Sequence, residues 1–407
     1  MRRLAILQGK RTVRSRTQVG AGALALITLA GLAALPSAQG TSAGESVAAR
    51  AGAQNSGAAF AMTNVSTGNR IITYRRGPMG ALTRVGSVPT RGTGIGTDLD
   101  TQGALQLSSD HRFLYAANAG SDSISVFSVR GTSLTFQQKI YAGDLPNSLT
   151  LNGNLLYALD GSVAGNGILG FRIAPDGTLS PLRGSFRLLS SPIAVPGQIQ
   201  FSPDGRLILV TQKTTNVTLS PRNAIDVFRV RNNGRTSAVP RRAASFGLRP
   251  FSLAFRNNHR LLVVESFNAA PRRSAVSSYR VAKTGALDVN VTSGSVPNRQ
   301  TDSCWIVITR DGRYAYTANF GSGTISSYGI EDGGEVRLIE GNAAFLGIDS
   351  QPVDLALRPN SRHLYMLLRG TGGVATFRVR DDGGLIPRGV VTGGLPVADG
   401  ASGLAVY

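Results

Sequence analysis

Six short turn signatures recur along the chain at near-constant spacing, and this repetition limits the possible folds more than any other feature. They fall at Asp110-His111, Asn152-Gly153, Asp204-Gly205, Asn257-Asn258, Asp311-Gly312 and Asn360-Ser361, at intervals of 42, 52, 53, 54 and 49 residues. Each follows an apolar alternating run, such as Gln198–Phe201, Phe251–Phe255 or Val353–Leu357. Each precedes a second run, such as Phe113–Ala117, Leu207–Thr211 or Tyr314–Asn319. Asp-Gly and Asn-Gly pairs accept the positive φ angles of a tight hairpin, so neighbouring runs are antiparallel and a parallel solenoid is excluded. A third run closes on an aromatic residue (Phe127, Phe171, Phe228, Tyr279, Tyr328, Phe377). A more polar fourth run follows a second turn, as at Asp176-Gly177, Asn233-Gly234 and Asp382-Gly383. Four-stranded meanders at this period predict propeller blades.

The ends of the repeat region predict how the ring closes. Ala58–Asn64 and Arg70–Arg76 read as second and third strands with no first strand before them, whereas Ser402–Tyr407 reads as a first strand with nothing after it. The expected fold is therefore an all-β, seven-bladed β-propeller of four-stranded antiparallel blades over residues 58–407. The C-terminal strand completes the first blade and removes an exposed sheet edge. Ahead of it, basic Met1–Arg16, apolar Val19–Leu35 and Ala38-Gln39-Gly40 read as a signal peptide over residues 1–40, or as an uncleaved membrane anchor. Residues 41–57 read as a flexible Gly/Ala/Ser-rich linker. The expected location is outside the cytoplasm: secreted, periplasmic or cell-surface.

The formal charge is +20, spread over single and paired arginines with no basic helix or aromatic-interleaved patch. That argues against specific nucleic-acid binding. Cys304 is the one cysteine, which excludes an intramolecular disulfide and a cysteine metal cluster; beside Trp305 it reads as a buried apolar filler. His111, His259 and His363 lie at or beside the first hairpin turns of three different blades and read as exposed turn residues. No metal or cofactor is expected, and the chain is expected to be a monomer.

In a meander blade the start of the first strand and the end of the second share one face. That mouth of the channel collects Asn147, Gln198, Arg249, Asp302 and Asp354 from strand starts, and Asn118, Asp160, Lys213, Glu265, Asn319 and Arg369 from strand ends. The ring reads either as a site for a small anionic or carbohydrate-like ligand, or as a hydrated channel mouth. The longer loops Lys213–Ala224 and Ser266–Ala275 carry Lys213, Arg222, Arg272 and Arg273, which suit an acidic ligand or partner docking on this face.

Phe201-Ser202-Pro203-Asp204-Gly205-Arg206, Tyr115-Ala116-Ala117-Asn118 and Tyr316-Thr317-Ala318-Asn319 with the following Gly-Ser-Gly corner resemble the seven-bladed lactonase family. That family includes 6-phosphogluconolactonase and carboxymuconate-cyclase-like proteins, with related YVTN-type surface propellers. The resemblance runs from about Ala58 to Tyr407. It implies a site at one channel mouth with a histidine opening the first strand of a middle blade and an Arg-His pair opening the next. It also implies a glutamate closing that blade's second strand and an arginine in a Ser-Asn-Arg-Gly corner. Arg249 and Glu265 match the arginine and the glutamate and are the candidate catalytic pair. Arg249 is followed by Pro250-Phe251-Ser252 instead of histidine, the middle-blade position reads Gln198-Ile199-Gln200, and Phe320 occupies the corner. Two readings stay open: a lactonase-like hydrolase acting on a sugar-acid lactone or related anion, and a non-catalytic extracellular propeller that binds polysaccharide, a cell-wall component or protein.

Overall fold

The [ST]-x-[DN]-x-R turns build their own brackets. In the computed structural model Ser108, Ser202 and Thr309 each donate a hydroxyl hydrogen bond of 2.6 Å to the aspartate two residues on. Each hydroxyl also accepts the backbone N–H that starts the second strand. The residue after the aspartate takes a positive φ, 59° at His111, 69° at Gly205 and 71° at Gly312, as this reversal requires. The structure describes residues 57–162, 165–191, 193–213, 223–289, 292–397 and 400–407. The signal-peptide and linker readings, and Arg222, lie outside them.

Each of the seven sheets is antiparallel with four strand positions counted outward from the channel. Blade 2 runs Leu105–Leu107, Phe113–Asn118, Ser123–Arg130 and Ser133–Tyr141. Blade 4 runs Pro196–Phe201, Leu207–Gln212, Ala224–Arg229 and Arg241–Ala244. Blade 6 runs Ser303–Ile308, Tyr314–Asn319, Thr324–Ile330 and Val336–Phe345. Blade 7 runs Pro352–Leu357, His363–Leu368, Gly373–Val379 and Leu385–Thr392. Blades 3 and 5 begin at Pro146–Asn152 and Pro250–Asn257, and their outermost position is shared by two short strands. In blade 1 the C-terminal Leu404–Val406 lies innermost and pairs antiparallel with Gly57–Met62 (Ala59 with Val406, Ala61 with Leu404). Seven sheets and the closure both agree with the sequence reading.

Blades are tied to their neighbours by a repeated contact. Tyr115, Tyr157, Tyr316 and Tyr365, each third in its second strand, donate 2.8–3.0 Å hydrogen bonds to the carbonyls of Gly177, Gly234, Gly383 and Gly80 in the next blade's outer turn. Those glycines have φ of 83–89° and sit against the first side chain of the same second strand. A Cβ on Gly80 would come within 2.3 Å of the His363 ring. His363 is therefore buried, at 7% exposure, where an exposed turn residue was expected; it fills the place that Phe113 and Tyr314 fill elsewhere. His111 stacks on Tyr407 at 4.9 Å, and His259 is exposed.

Deleting Leu404–Tyr407 should leave blade 1 three-stranded and remove three buried side chains. The expected loss is on the order of 4 kcal/mol. Thermal unfolding should then begin roughly 8 °C lower; an unchanged transition would show that the closing strand does not hold the ring.

Candidate functional site at the channel mouth

One linker crosses the mouth. The stretch Thr90–Ala104, between the last strand of blade 1 and the first of blade 2, is several times longer than its counterpart Ala142–Leu145. Its extra residues reach across the ring. Thr101 donates to the Asn147 carbonyl in blade 3 (2.7 Å), and its own carbonyl accepts the Trp305 indole N–H from blade 6 (2.8 Å). The Gln102 side chain pairs with both the N–H and C=O of Ile306 at 3.0 Å, capping the free inner edge of blade 6. The Gln102 carbonyl accepts Ser148 Oγ of blade 3 at 2.5 Å, and the Gly103 N–H reaches Asp354 of blade 7. The Thr97 carbonyl accepts Asn64 of blade 1. Backbone at the centre of a propeller must satisfy its polar groups, and here it does so against the surrounding blades.

Two carboxylates of this plug meet the basic residues of the ring. Asp100 bonds the Lys213 ammonium through its carboxylate at 2.6 Å and through its main-chain oxygen, and Arg249 Nη2 reaches the same carboxylate at 3.0 Å. Asp98 pairs with Arg369 Nη1 at 2.7 Å. Lys213 is fully buried, with its ammonium 4.1 Å from the centre of the Phe251 ring; burial pushes its pKa down while Asp100 pulls it up. Arg369 lies over Phe320 at 4.7 Å and donates twice to the Gln351 amide oxygen. Asp302 holds its carboxyl beside the Cys304 thiol, which donates to Oδ1 at 3.3 Å. Burial raises the Asp302 pKa, while that thiol contact and then Arg249 oppose the rise. Burial raises Asp98 and Cys304 as well, which favours the protonated thiol over the nucleophilic thiolate. Arg249, Asp302 and Gln351 have φ of 54°, 55° and 45°, each just before an inner strand. Side chains in this region cost on the order of 1 kcal/mol and persist where surrounding contacts over-determine them.

The expected ring of site residues therefore divides. Arg249, Asp302, Lys213 and Arg369 converge at the mouth, but Lys213 points into the plug instead of flanking the opening. Arg272 and Arg273 are exposed on their loop. Glu265 is fully buried and does not meet Arg249. It accepts the Gly247 N–H (2.8 Å), Ser277 Oγ (2.5 Å) and Ser295 Oγ (2.6 Å), all from its own outer strands or the linker before its blade. Asn118, Asp160 and Asn319 occupy the same place at the ends of their second strands. Asn118 bonds Ser125 and Asn69, Asp160 accepts the N–H groups of Asp144 and Ser162, and Asn319 bonds Ser303, Thr324 and Ser326. In blades 2, 3, 5 and 6 the second-strand ends thus turn away from the channel into brackets within the blade and its neighbouring loops, whereas Lys213 and Arg369 of blades 4 and 7 turn to the plug. This is the physical reason that Glu265 is not available as a base partner of Arg249. Gln198 and Asp354 face inward but are engaged: Gln198 accepts the Leu253 N–H, and Asp354 accepts that of Gly403 at 2.7 Å. Asn147 contributes its carbonyl to the plug, and its side-chain oxygen is buried without a partner. Asp98, Asp100, Gln102 and Gln351 were not anticipated. The signal for the first three was the length of Thr90–Ala104 together with its paired aspartates.

Asp100→Asn should leave Lys213 buried without its countercharge and cost about 3 kcal/mol in urea unfolding. Adding Lys213→Met should recover most of that loss; no recovery would mean that the pair is not what the substitution broke. Asp354 is buried with its pKa pushed up to about 6. Its folded state binds a proton more readily than the unfolded chain, so its contribution to stability is complete below about pH 4 and falls away as pH rises through 6. Asp354→Asn should flatten the pH dependence of thermal stability between pH 4 and 6. An unaltered profile would remove Asp354 as its source.

Residues 53–186 and 224–347, well over half of the chain, match the family described as lactonase, 7-bladed beta-propeller. No curated protein matches. Among solved structures, a candidate 6-phosphogluconolactonase of Bacteroides uniformis is 17% identical, with 87% of this chain and 100% of that chain covered at a TM-score of 0.66. Its counterpart from Bacteroides fragilis is also 17% identical, covering 87% and 98% at 0.63. The periplasmic gluconolactonase of Pseudomonas aeruginosa is 16% identical, covering 86% and 99% at 0.62. At these identities the neighbours share the fold, and the family match carries the assignment: the chain belongs to the seven-bladed β-propeller lactonase family.

Proposed function

We propose that this lactonase-family propeller acts at the mouth above the plug on a neutral, polyhydroxylated lactone of the sugar-acid type. The observation that carries the reading is the Asp302 carboxyl held beside Arg249 and Cys304 at the mouth, with a pKa raised by burial. A carboxylate of raised pKa suits activation of water, and a neighbouring guanidinium suits polarisation of the lactone carbonyl and its developing oxyanion.

Charge balance argues for a neutral substrate over an anionic one. Lys213, Arg249 and Arg369 are already paired with the carboxylates of Asp100 and Asp98, with Asp302 beside Arg249, so these cations are engaged within the protein and are not free to pair with a phosphate or carboxylate. We infer export from the basic and apolar N-terminal sequence, in keeping with the periplasmic source of one structural neighbour. A second reading, retention of a ligand without turnover, is supported by the three histidines: each lies at or beside a first hairpin turn, on the opposite face from Asp302. Hydrolysis of gluconolactone by the wild type and Asp302→Asn separates the two. We expect kcat to fall at least a hundredfold in the variant with little change in KM. Equal turnover by both proteins would overturn the role of Asp302, and binding without turnover by either would select retention.

A further inference from the structure

The plug closes the channel from one side only. On the side of the first hairpin turns, a cavity of about 850 Å³ opens between blades 2, 3 and 4, within the size range of small-molecule sites. Its wall is built differently from the mouth above. Gln106, Thr150, Asn152 and Gln200 supply uncharged amides and a hydroxyl, and Phe113 and Phe255 supply apolar faces. The charged rim residues Asp110 and Arg112 pair with each other at 2.7 Å and leave the interior without a free charge of their own.

A ladder of side chains lines this part of the channel, and one rung of it is open. Inner-strand N–H groups are satisfied by side chains of the preceding blade: Ile199 by Ser148, Phe201 by Thr150 at 2.9 Å, and Leu253 by Gln198 at 2.8 Å. Gln200 stands two residues beyond Gln198 on the same strand and therefore on the same face. Its amide oxygen is buried and accepts nothing. An unpaired buried acceptor in a cavity wall costs about 1–3 kcal/mol unless a donor reaches it.

We propose that this cavity is a second ligand site, independent of the charged mouth, for a neutral saccharide. Sugar hydroxyls both donate and accept, as amides and hydroxyls do, and the C–H face of a pyranose suits the phenylalanine rings. A carboxylate or phosphate would lose its hydration with no counter-charge in the wall. The cavity opens among the first hairpin turns of blades 2, 3 and 4, so entry is from the face opposite the lactone site.

The test measures binding of glucose and cellobiose, with gluconate and glucose 6-phosphate as charged counterparts, to the full chain carrying Arg249→Ala so that the mouth is disabled. The neutral sugars should bind and the charged ones should bind at least tenfold more weakly. Adding Ser109→Trp, which fills the exposed rim of the cavity without touching the core, should abolish binding, and Gln200→Leu should weaken it about tenfold. In otherwise wild-type protein, Ser109→Trp should leave lactone turnover unchanged. Absence of neutral-sugar binding, or binding that survives both Ser109→Trp and Gln200→Leu, overturns the proposal without bearing on Asp302.

Discussion

A lysine ammonium with no exposed surface requires a negative partner, and in this propeller the partner comes from the far side of the ring. Lys213 leaves the second strand of blade 4, while Asp100 arrives from the linker between blades 1 and 2. The Lys213 charge is not tolerable where it lies without this partner, since removing an ammonium from water costs several kcal/mol. The pairing fixes the path of the linker across the mouth. Once that path is set, Thr101, Gln102 and Gly103 fall opposite the inner edges of blades 3, 4 and 6 and bond their backbone, and the Gly103 N–H reaches the Asp354 carboxylate of blade 7.

The same constraint changes the chemistry of the opening. A propeller with three cations at one mouth would attract anions, but here all three are paired with Asp98 or Asp100, and Asp302 adds a further carboxyl. The mouth becomes a surface of mixed charge in which the Arg249 guanidinium acts on a neighbouring Asp302 carboxyl of raised pKa. On the opposite face, among the first hairpin turns of blades 2, 3 and 4, lies a separate cavity lined mostly by amides, hydroxyls and phenylalanine rings. Glu265, the sequence match to a family glutamate, serves architecture in this chain: its two oxygens take three hydrogen bonds within blade 5 and its leading linker, where a Cβ on Gly247 would come within 2.1 Å of Oε2.

Legibility in the sequence followed the locality of each interaction. The hairpins could be read because the Ser108–Asp110 and Thr309–Asp311 brackets lie within a few residues, and the blade count followed from their spacing. Ring closure was readable because strand order within a meander is fixed, so an orphan first strand at Leu404–Val406 had one place to go. The mouth was half readable. Strand starts and ends were placed on the correct face, but the direction of a side chain at a strand end depends on the linker packed behind it. Asn118, Asp160, Glu265 and Asn319 turned outward for that reason. The plug was beyond this kind of reading, because Asp100 lies 113 residues from Lys213 and 149 from Arg249 and no local pattern links them. His363 shows the same limit, since what buries it is Gly80 at the other end of the chain.

The claim on which the rest depends is that Thr97–Gly103 is seated in the ring as a fixed part of the fold. Hydrogen–deuterium exchange over a peptide spanning these residues addresses it directly, with the exposed turn at Asn257–His259 as an internal reference. Exchange slowed towards that of the inner strands, and released by Asp100→Asn, is the result expected of a plug anchored on Lys213 and Arg249. Exchange as fast as that of the reference turn in the wild type would contradict it.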